Sequence, residues 1–109
     1  MDDLIQSIDE SINIINHYAD LLLINKPKLA KLYMPSLSEG LNVITNLVKI
    51  YDLEVFAKYR EDQTYWINQL QRILNALERD DYFAQYDVLV NETIENLKYV
   101  RNLISEVEG

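Results

Sequence analysis

The side chains in this sequence that could do chemistry are carboxylates, tyrosines and one histidine. The chain has 18 Asp and Glu, eight Tyr, a single His (His17) and no Cys. Many carboxylates in a helical protein first suggest a di-iron or di-manganese site, which needs two Glu-x-x-His pairs and two further Glu. Ile14 stands where such a pair with His17 would need a Glu. That ligand set is therefore excluded, and the lack of Cys excludes a zinc–thiolate site.

Other catalytic arrangements have as little support. A Ser-His-Asp hydrolase would have to use His17 as its base, and the spacing brings no Ser next to it. Two isolated Gly cannot form a phosphate-binding loop. Paired carboxylates such as Asp80-Asp81 could transfer protons, but at helix starts such residues more often act as caps. We expect no enzyme activity, no cofactor and no metal, and a carboxylate-based enzyme stays as an alternative.

The charge of the chain restricts its partners. The net charge is −8; residues 1–25 lack Lys and Arg, residues 26–60 are net basic and residues 61–109 are net acidic. A negative field disfavours nucleic-acid binding. It can serve solubility, attract a basic partner or imitate nucleic acid. No apolar run approaches the ~18–20 residues of a bilayer span, and the start lacks the basic region of a signal peptide. We expect a cytoplasmic protein with no nucleic-acid or membrane partner.

Helical periodicity covers most of the chain. Its 109 residues, of which 49% are hydrophobic, suffice for one domain over 1–109 with its own core. Apolar residues recur at every third or fourth position, as on one face of a helix. The pattern predicts helices at about 3–25, 28–34, 36–59, 64–79 and 81–107.

Helix boundaries follow from Pro and from capping residues. Pro27 and Pro35 delimit the short second helix. Ser36 and Glu39 have the spacing of a capping box, which predicts that the next helix starts there. Gly40 costs a helix up to about 1 kcal/mol relative to Ala, and a close contact with a neighbouring helix would explain it. Asp80 or Asp81 can cap the last helix.

These helices predict an all-α fold. The connection between the last two long helices is so short that they must be antiparallel neighbours. We predict an antiparallel up-down four-helix bundle with a short extra helix in the first connection.

The last helix has the longest apolar seam. Its spacing alternates between four and three residues, through Tyr86, Val90, Thr93, Leu97, Val100, Ile104 and Val107. At 1.5 Å per residue this helix is longer than the one before it, so its end needs another cover. The first helix, the short helix or a second copy of the chain could supply it. The candidate interface is Tyr82, Tyr86, Val100, Leu103, Ile104 and Val107.

The tyrosines allow two interpretations. Tyr has an apolar ring and a polar tip, and it is common both at core rims and at protein interfaces. Tyr59, Tyr65, Trp66, Tyr82, Phe83 and Tyr86 lie near predicted helix ends. They are either ordinary core and rim aromatics or part of a binding patch.

Residues 70–98 carry a family resemblance. The run resembles a helix–turn–helix of small bacterial all-α proteins of uncharacterised function, with the matching residues Asp81, Tyr82, Asp87, Leu89 and Glu92. The resemblance covers about a quarter of the chain and brings no catalytic residue. The chain also resembles, more loosely, the short helical flagellar export chaperones. The resemblance implies a bacterial all-α protein without assigned chemistry.

The function predicted from these features is protein–protein interaction. A long apolar seam, surplus Tyr and no catalytic constellation favour a non-enzymatic interaction module, with a homodimer as one form. The alternative is an acidic chaperone or a nucleic-acid-mimic decoy that binds a basic partner.

Overall fold

The described part of the chain contains helices as its only regular structure, which confirms the all-α prediction. The computed structural model describes residues 2–24 and 26–108. Its elements are α1 (Asp2–Leu23), α2 (Pro27–Leu32), α3 (Met34–Ile50), a 3-10 helix (Glu54–Tyr59), α4 (Glu61–Glu78), α5 (Tyr82–Tyr86), a π-helical segment (Asp87–Ile94) and α6 (Glu95–Glu108). The molecule measures 43 × 23 × 20 Å.

The helix α3 begins earlier than the sequence predicted. It starts at Met34, so Ser36 lies inside the helix and the predicted capping box is wrong. Pro35 does not end the preceding helix, because it lies in the first turn of α3, where a missing N–H needs no partner. Only Tyr33, with helical angles (φ −84°, ψ −6°), separates α2 from α3.

The same helix ends earlier than predicted. It stops at Ile50 instead of continuing to about Tyr59, and Leu53 adopts an extended conformation (φ −72°, ψ 141°) before the 3-10 helix. The last carbonyls of a helix lack partners within the helix. The side-chain nitrogen of Gln63, on α4, donates to the carbonyl of Val48 at 2.9 Å. This bond joins α4 to the end of α3.

The helix α1 contacts α2, α3, α5, the π-helical segment and α6. Against α3, the buried Ser11 hydroxyl donates to the carbonyl of Gly40 at 2.7 Å. A Cβ on Gly40 would lie only 3.0 Å from Cγ2 of Ile14. A close helix contact is therefore the reason for glycine at this position, as the sequence pattern indicated.

The last three helical elements follow one another without a break. Tyr86 (φ −59°, ψ −49°) and Glu95 (φ −63°, ψ −38°) have helical angles on either side of the π-helical segment. The start of the run is capped by Asp81, whose carboxylate accepts from the N–H of Ala84 at 3.1 Å. The turn before it contains Asp80 in a left-handed conformation (φ 51°). The predicted cap is confirmed.

The buried face of this run changes by one residue at the π-helical segment. From Thr93 to Ile104 the predicted seam is confirmed, because Thr93, Leu97, Val100 and Ile104 are all fully buried. Val107, the last predicted member, is partly buried. Before Thr93 the buried residues are Gln85, Val88 and Leu89. The predicted positions Tyr86 and Val90 are only partly buried. Backbone hydrogen bonds in a π-helix join residues five apart, whereas those in an α-helix join residues four apart. The π-helical segment therefore shifts the buried positions before Thr93 by one residue.

Candidate interaction site

The candidate interface predicted from the last helix is divided by the fold. Within the single chain, Val100 and Ile104 are fully buried and Leu103 is nearly so. Their side chains are therefore not free surface. The other three members of the predicted set, Tyr82, Tyr86 and Val107, are partly buried. Association between copies stays a prediction.

The helix α1 packs against α6, which forms the end of the predicted last helix. The guanidinium of Arg101 donates twice to the carboxylate of Asp9, at 2.7 and 3.2 Å. Asp9 raises the pKa of Arg101, first through these hydrogen bonds and then through its negative charge. Of the three covers considered for the end of the last helix, α1 is the one whose contacts with α6 are seen.

The carboxylates of the described residues do not gather on one element. They lie on α1, α3 and α4, beside and within the 3-10 helix, in the turn at residues 80–81 and along the last helical run. Several form ion pairs, including Asp9 with Arg101, Asp80 with Lys31 and Glu92 with Arg72. A nucleic-acid mimic needs a continuous unpaired acidic face. The acidic chaperone or decoy alternative stays a prediction.

Apolar side chains are exposed around the connection from α1 to α3. Leu23, Ile24, Leu29 and Leu32 are exposed there, with Leu32 78% exposed. The ion pair between Lys31 and Asp80 (3.8 Å) brings α2 beside the turn that precedes α5. Phe83, on α5, is 92% exposed. We call these five side chains, Leu23, Ile24, Leu29, Leu32 and Phe83, the apolar hairpin.

A buried polar pair joins α1 to α5. The Tyr18 hydroxyl donates to Oε1 of Gln85 at 2.6 Å, and Nε2 of Gln85 donates to the carbonyl of Ala76 at 3.3 Å. Both side chains are about 1% exposed. Burial, with smaller contributions from Tyr82 and Asp80, raises the pKa of Tyr18 to about 12. These groups are already satisfied by each other and offer nothing to a ligand.

A small pocket with a different character opens between α4 and α6. Its volume is about 180 Å³, and it is lined by Asp62, Tyr65, Trp66, Asn96 and Tyr99. We call it the tyrosine notch. Tyr65 and Tyr99 are half exposed, whereas Trp66 is buried. The rings of Tyr65 and Trp66 meet edge to face, with centroids 6.4 Å apart. The notch is thus an aromatic recess with one carboxylate at its rim.

Hydrogen bonds hold the polar side chains of the notch. Nδ2 of Asn96 donates to the Tyr65 hydroxyl at 2.7 Å and to Oε1 of Gln69 at 3.1 Å. Gln69 is itself buried, and its Nε2 donates to the Thr93 hydroxyl at 3.3 Å. That hydroxyl donates in turn to the carbonyl of Val88, five residues earlier, at 2.7 Å. A chain of hydrogen bonds therefore connects the notch to the π-helical segment.

Carboxylates lie near the hydroxyl of Tyr99 in the notch. The Tyr99 hydroxyl lies 3.4 Å from Oδ2 of Asp62. Partial burial, then Asp62, and to a smaller degree Tyr59 and Glu106, raise the pKa of Tyr99 above its ordinary value. The carboxylates of Asp62 and Glu106 each disfavour a negative charge on the Tyr99 hydroxyl. The same field favours a positive group.

Sequence reasoning named two of the notch aromatics but missed the notch. The sequence places Tyr65 and Trp66 in a wider set of aromatics near predicted helix ends. That set does not contain Tyr99 or Asn96. A signal was present, because Asp62 and Tyr65 are three residues apart on one helix, and Asn96 and Tyr99 are three apart on another. Such pairs share a helix face. Only the fold shows that the two faces meet.

Metal-binding clusters and membrane-spanning helices are both absent from the described residues. In residues 2–24 and 26–108, no group of three or more His, Asp and Glu is placed to hold a metal ion. Over the same part of the chain, every helix is too short or too polar to cross a bilayer.

Comparison with known proteins adds no relative. No family model, no curated protein and no solved structure matches this chain. The resemblance of residues 70–98 to small bacterial helical proteins stays a prediction.

Proposed function

We propose that this chain is a non-enzymatic protein-interaction domain of the cytoplasm. Its proposed architecture is a single domain over residues 1–109, an antiparallel up-down four-helix bundle with α2 in the first connection. The pairs Ser11–Gly40, Gln63–Val48 and Tyr18–Gln85 support this arrangement, because each joins neighbouring long elements. The net charge of −8 and the helices of the described residues agree with a protein that works in water.

One observation carries the proposal, the exposure of the apolar hairpin. Burying apolar surface gains about 25 cal/mol per Å². Leu32 and Phe83 leave most of their surface in water, and Leu23 and Ile24, in the same connection as Leu32, are also exposed. A cluster of large exposed apolar side chains is typical of a surface that another protein covers.

A second copy of the chain is the partner we propose to test first. Tyr82, from the predicted interface, directly precedes Phe83 and is itself partly exposed. Tyr and Phe are among the residues enriched in interface cores. A symmetric dimer uses the same patch on both copies, so the apolar hairpin could cover itself.

The test is the molar mass in solution across a concentration series. We expect a mass near twice the 12.8 kDa of one chain at high concentration. The double variant Leu32→Glu, Phe83→Glu should remain a monomer, because charge cannot be buried in an apolar contact without a large cost. The control is Ile67→Glu, which changes an exposed apolar residue on α4. It should dimerise like the wild type.

Two results would contradict the proposal in different ways. If the wild type and the double variant are both monomeric, the proposed self-association is wrong. Capture experiments with these two proteins then test whether a different protein binds the apolar hairpin. If no captured protein depends on Leu32 and Phe83, the apolar hairpin is not an interaction surface.

A further inference from the structure

We infer that the tyrosine notch is a binding site for an alkylammonium group, of the kind a lysine side chain carries. The notch is a different surface from the apolar hairpin, so this inference does not depend on the function proposed above. Each can fail while the other stands.

The sign of the ligand follows from the atoms that line the notch. Asp62 offers carboxylate oxygens and is only partly buried. The amide nitrogen of Asn96 is used by Tyr65 and Gln69, so the group that Asn96 can still turn to a ligand is its carbonyl oxygen, an acceptor. An anion would meet the Asp62 carboxylate and the Asn96 carbonyl oxygen, with only the hydroxyls of Tyr65 and Tyr99 as donors. A cation with N–H donors would meet groups that can accept its hydrogen bonds.

The aromatic lining specifies a cation on a carbon chain. The faces of Tyr and Trp rings attract ammonium groups that come within about 6 Å of the ring centre. The rings of Tyr65 and Tyr99 also offer apolar surface to methylene groups. The pocket, with a volume of about 180 Å³, has room for much more than one water molecule. A bare metal ion would leave such a space unfilled, whereas an ammonium with its carbon chain occupies it.

The carboxylate of Asp62 is available to such a ligand. Its contact with the Tyr99 hydroxyl is long, at 3.4 Å, and therefore weak. Among the ion pairs of the described residues, none includes Asp62. A bound ammonium can take the place of the long Tyr99 contact without breaking a strong bond.

The opposite wall is held in position before any ligand arrives. Asn96 is fixed by two hydrogen bonds, and one of them leads to the buried Gln69. Gln69 is held through Thr93 to the backbone of the π-helical segment. A site whose polar groups are already oriented loses little freedom on binding. The polar wall of the notch is therefore already arranged for a ligand.

The experiment uses the single Trp of the chain as reporter. Trp66 lines the notch, so its fluorescence and its indole N–H resonance should respond to a bound group. The probes are n-butylammonium and Nα-acetyl-lysine amide, and the matched neutral probe is the same lysine derivative acetylated at Nε. We expect saturable changes in the millimolar range for the two ammonium probes, as suits a ligand of few atoms. The acetylated probe should bind at least fivefold more weakly.

Two variants test which residues are responsible. Asp62→Asn keeps the shape and removes the charge, and it should weaken binding about two- to fivefold. Asp20→Asn removes the same charge from an exposed position on α1 and should change binding less than twofold. Tyr99→Leu should weaken binding about two- to fivefold, since it removes one ring. Far-ultraviolet circular dichroism shows whether each variant is folded.

The source of the ammonium is decided by two further probes. If tetralysine binds more tightly than spermidine, the natural ligand is a basic protein segment. If spermidine binds as tightly or more tightly, it is a small polyamine. Both results support the site.

Three results would overturn the inference. One is binding of the Nε-acetylated probe as tight as that of the free ammonium. Another is an equal effect of Asp62→Asn and Asp20→Asn. The third is no response of Trp66 to any probe at concentrations up to 50-fold above the expected range, which is about 50 mM or more.

Discussion

Two pairs of tyrosines in this molecule have opposite surroundings. Tyr18 and Tyr51 are almost completely buried, and their hydroxyls are bonded inside the protein, to Gln85 and to the indole N–H of Trp66. Tyr65 and Tyr99 are half exposed, and their hydroxyls meet polar groups at the rim of the tyrosine notch.

The difference shows how one residue type serves two purposes. A buried hydroxyl must have a partner, because an unsatisfied polar group in the core costs free energy. Tyr18 and Tyr51 therefore contribute to the stability of the fold. At a rim, water can replace a lost partner, so the hydroxyls of Tyr65 and Tyr99 contribute little to stability. They are available for a ligand.

The largest expected effect that separates the pairs is alkaline unfolding. Burial raises the pKa of Tyr18 and Tyr51 to about 12, from 10.0 for an exposed Tyr. Since the folded-state pKa is the higher one, their contribution to stability is complete below pH 10. It is lost as the pH rises to about 12. At about 1.4 kcal/mol per pKa unit, the loss is on the order of 3 kcal/mol for each.

The measurement is tyrosinate absorbance together with circular dichroism between pH 9 and 13. Tyr18 and Tyr51 should ionise only as the helices unfold. Tyr99, which is half exposed, should ionise before unfolding even though its pKa is raised. Ionisation of all eight tyrosines while the protein is still folded would contradict the assignment of Tyr18 and Tyr51 to the core.

The next largest effect compares two adjacent residues of α6. Leu97 is fully buried, whereas its neighbour Asn96 lies on the notch. Leu97→Ala should lower the free energy of unfolding by about 2–5 kcal/mol, because it leaves a cavity. Asn96→Ala should cost about 1 kcal/mol, mainly through the hydrogen bond to Gln69. Urea unfolding measures both, and equal effects would show that the orientation of α6 is wrong.

A smaller effect is expected from the buried hydroxyl of Tyr18. Tyr18→Phe keeps the ring and removes the donor to Oε1 of Gln85, which then has no partner in the core. We expect a loss of about 1–3 kcal/mol in the free energy of unfolding. Adding Gln85→Met should recover part of it, since the unsatisfied oxygen is then absent. A double variant as unstable as the sum of the single variants would disprove the coupling.

The smallest effect is expected at the notch. Tyr65→Phe removes the acceptor for Asn96, but Tyr65 is half exposed and water can take that place. The free energy of unfolding should change by no more than about 0.5 kcal/mol. Thermal unfolding of Tyr18→Phe and Tyr65→Phe side by side makes the comparison direct. If the two variants melt together, the distinction between core and rim tyrosines fails.

Helical periodicity predicted much of this fold. The seam from Thr93 to Ile104 is buried as predicted, Asp81 caps the last run, and Gly40 meets Ile14 closely. The failures have local causes. The start of α3 was misplaced because Pro35 is tolerated in a first turn. The seam before Thr93 was misplaced because a π turn leaves no simple mark in the sequence.

The candidate site was harder to predict for a physical reason. Each helix shows which residues share a face, but the notch forms only where a face of α4 meets a face of α6. The exposure of Phe83 has a similar cause. Its neighbours Tyr82 and Ala84 are partly buried, whereas Phe83 points away from the rest of the molecule. Sequence alone gives no reason for that direction.

The π-helical segment has a consequence for how this chain can change over evolutionary time. Gln85 and Leu89 lie on the same buried face as Thr93 and Leu97, as they would in a regular α-helix with one residue fewer. The segment thus has the form of a single-residue insertion that the helix has absorbed. Losing the exposed Asn91 would keep both halves of the face directed at the core. It would also take away the turn in which Thr93 bonds to Val88 and holds Gln69. One deleted codon would therefore keep the buried face of the run and remove the hydrogen bonds that orient the notch.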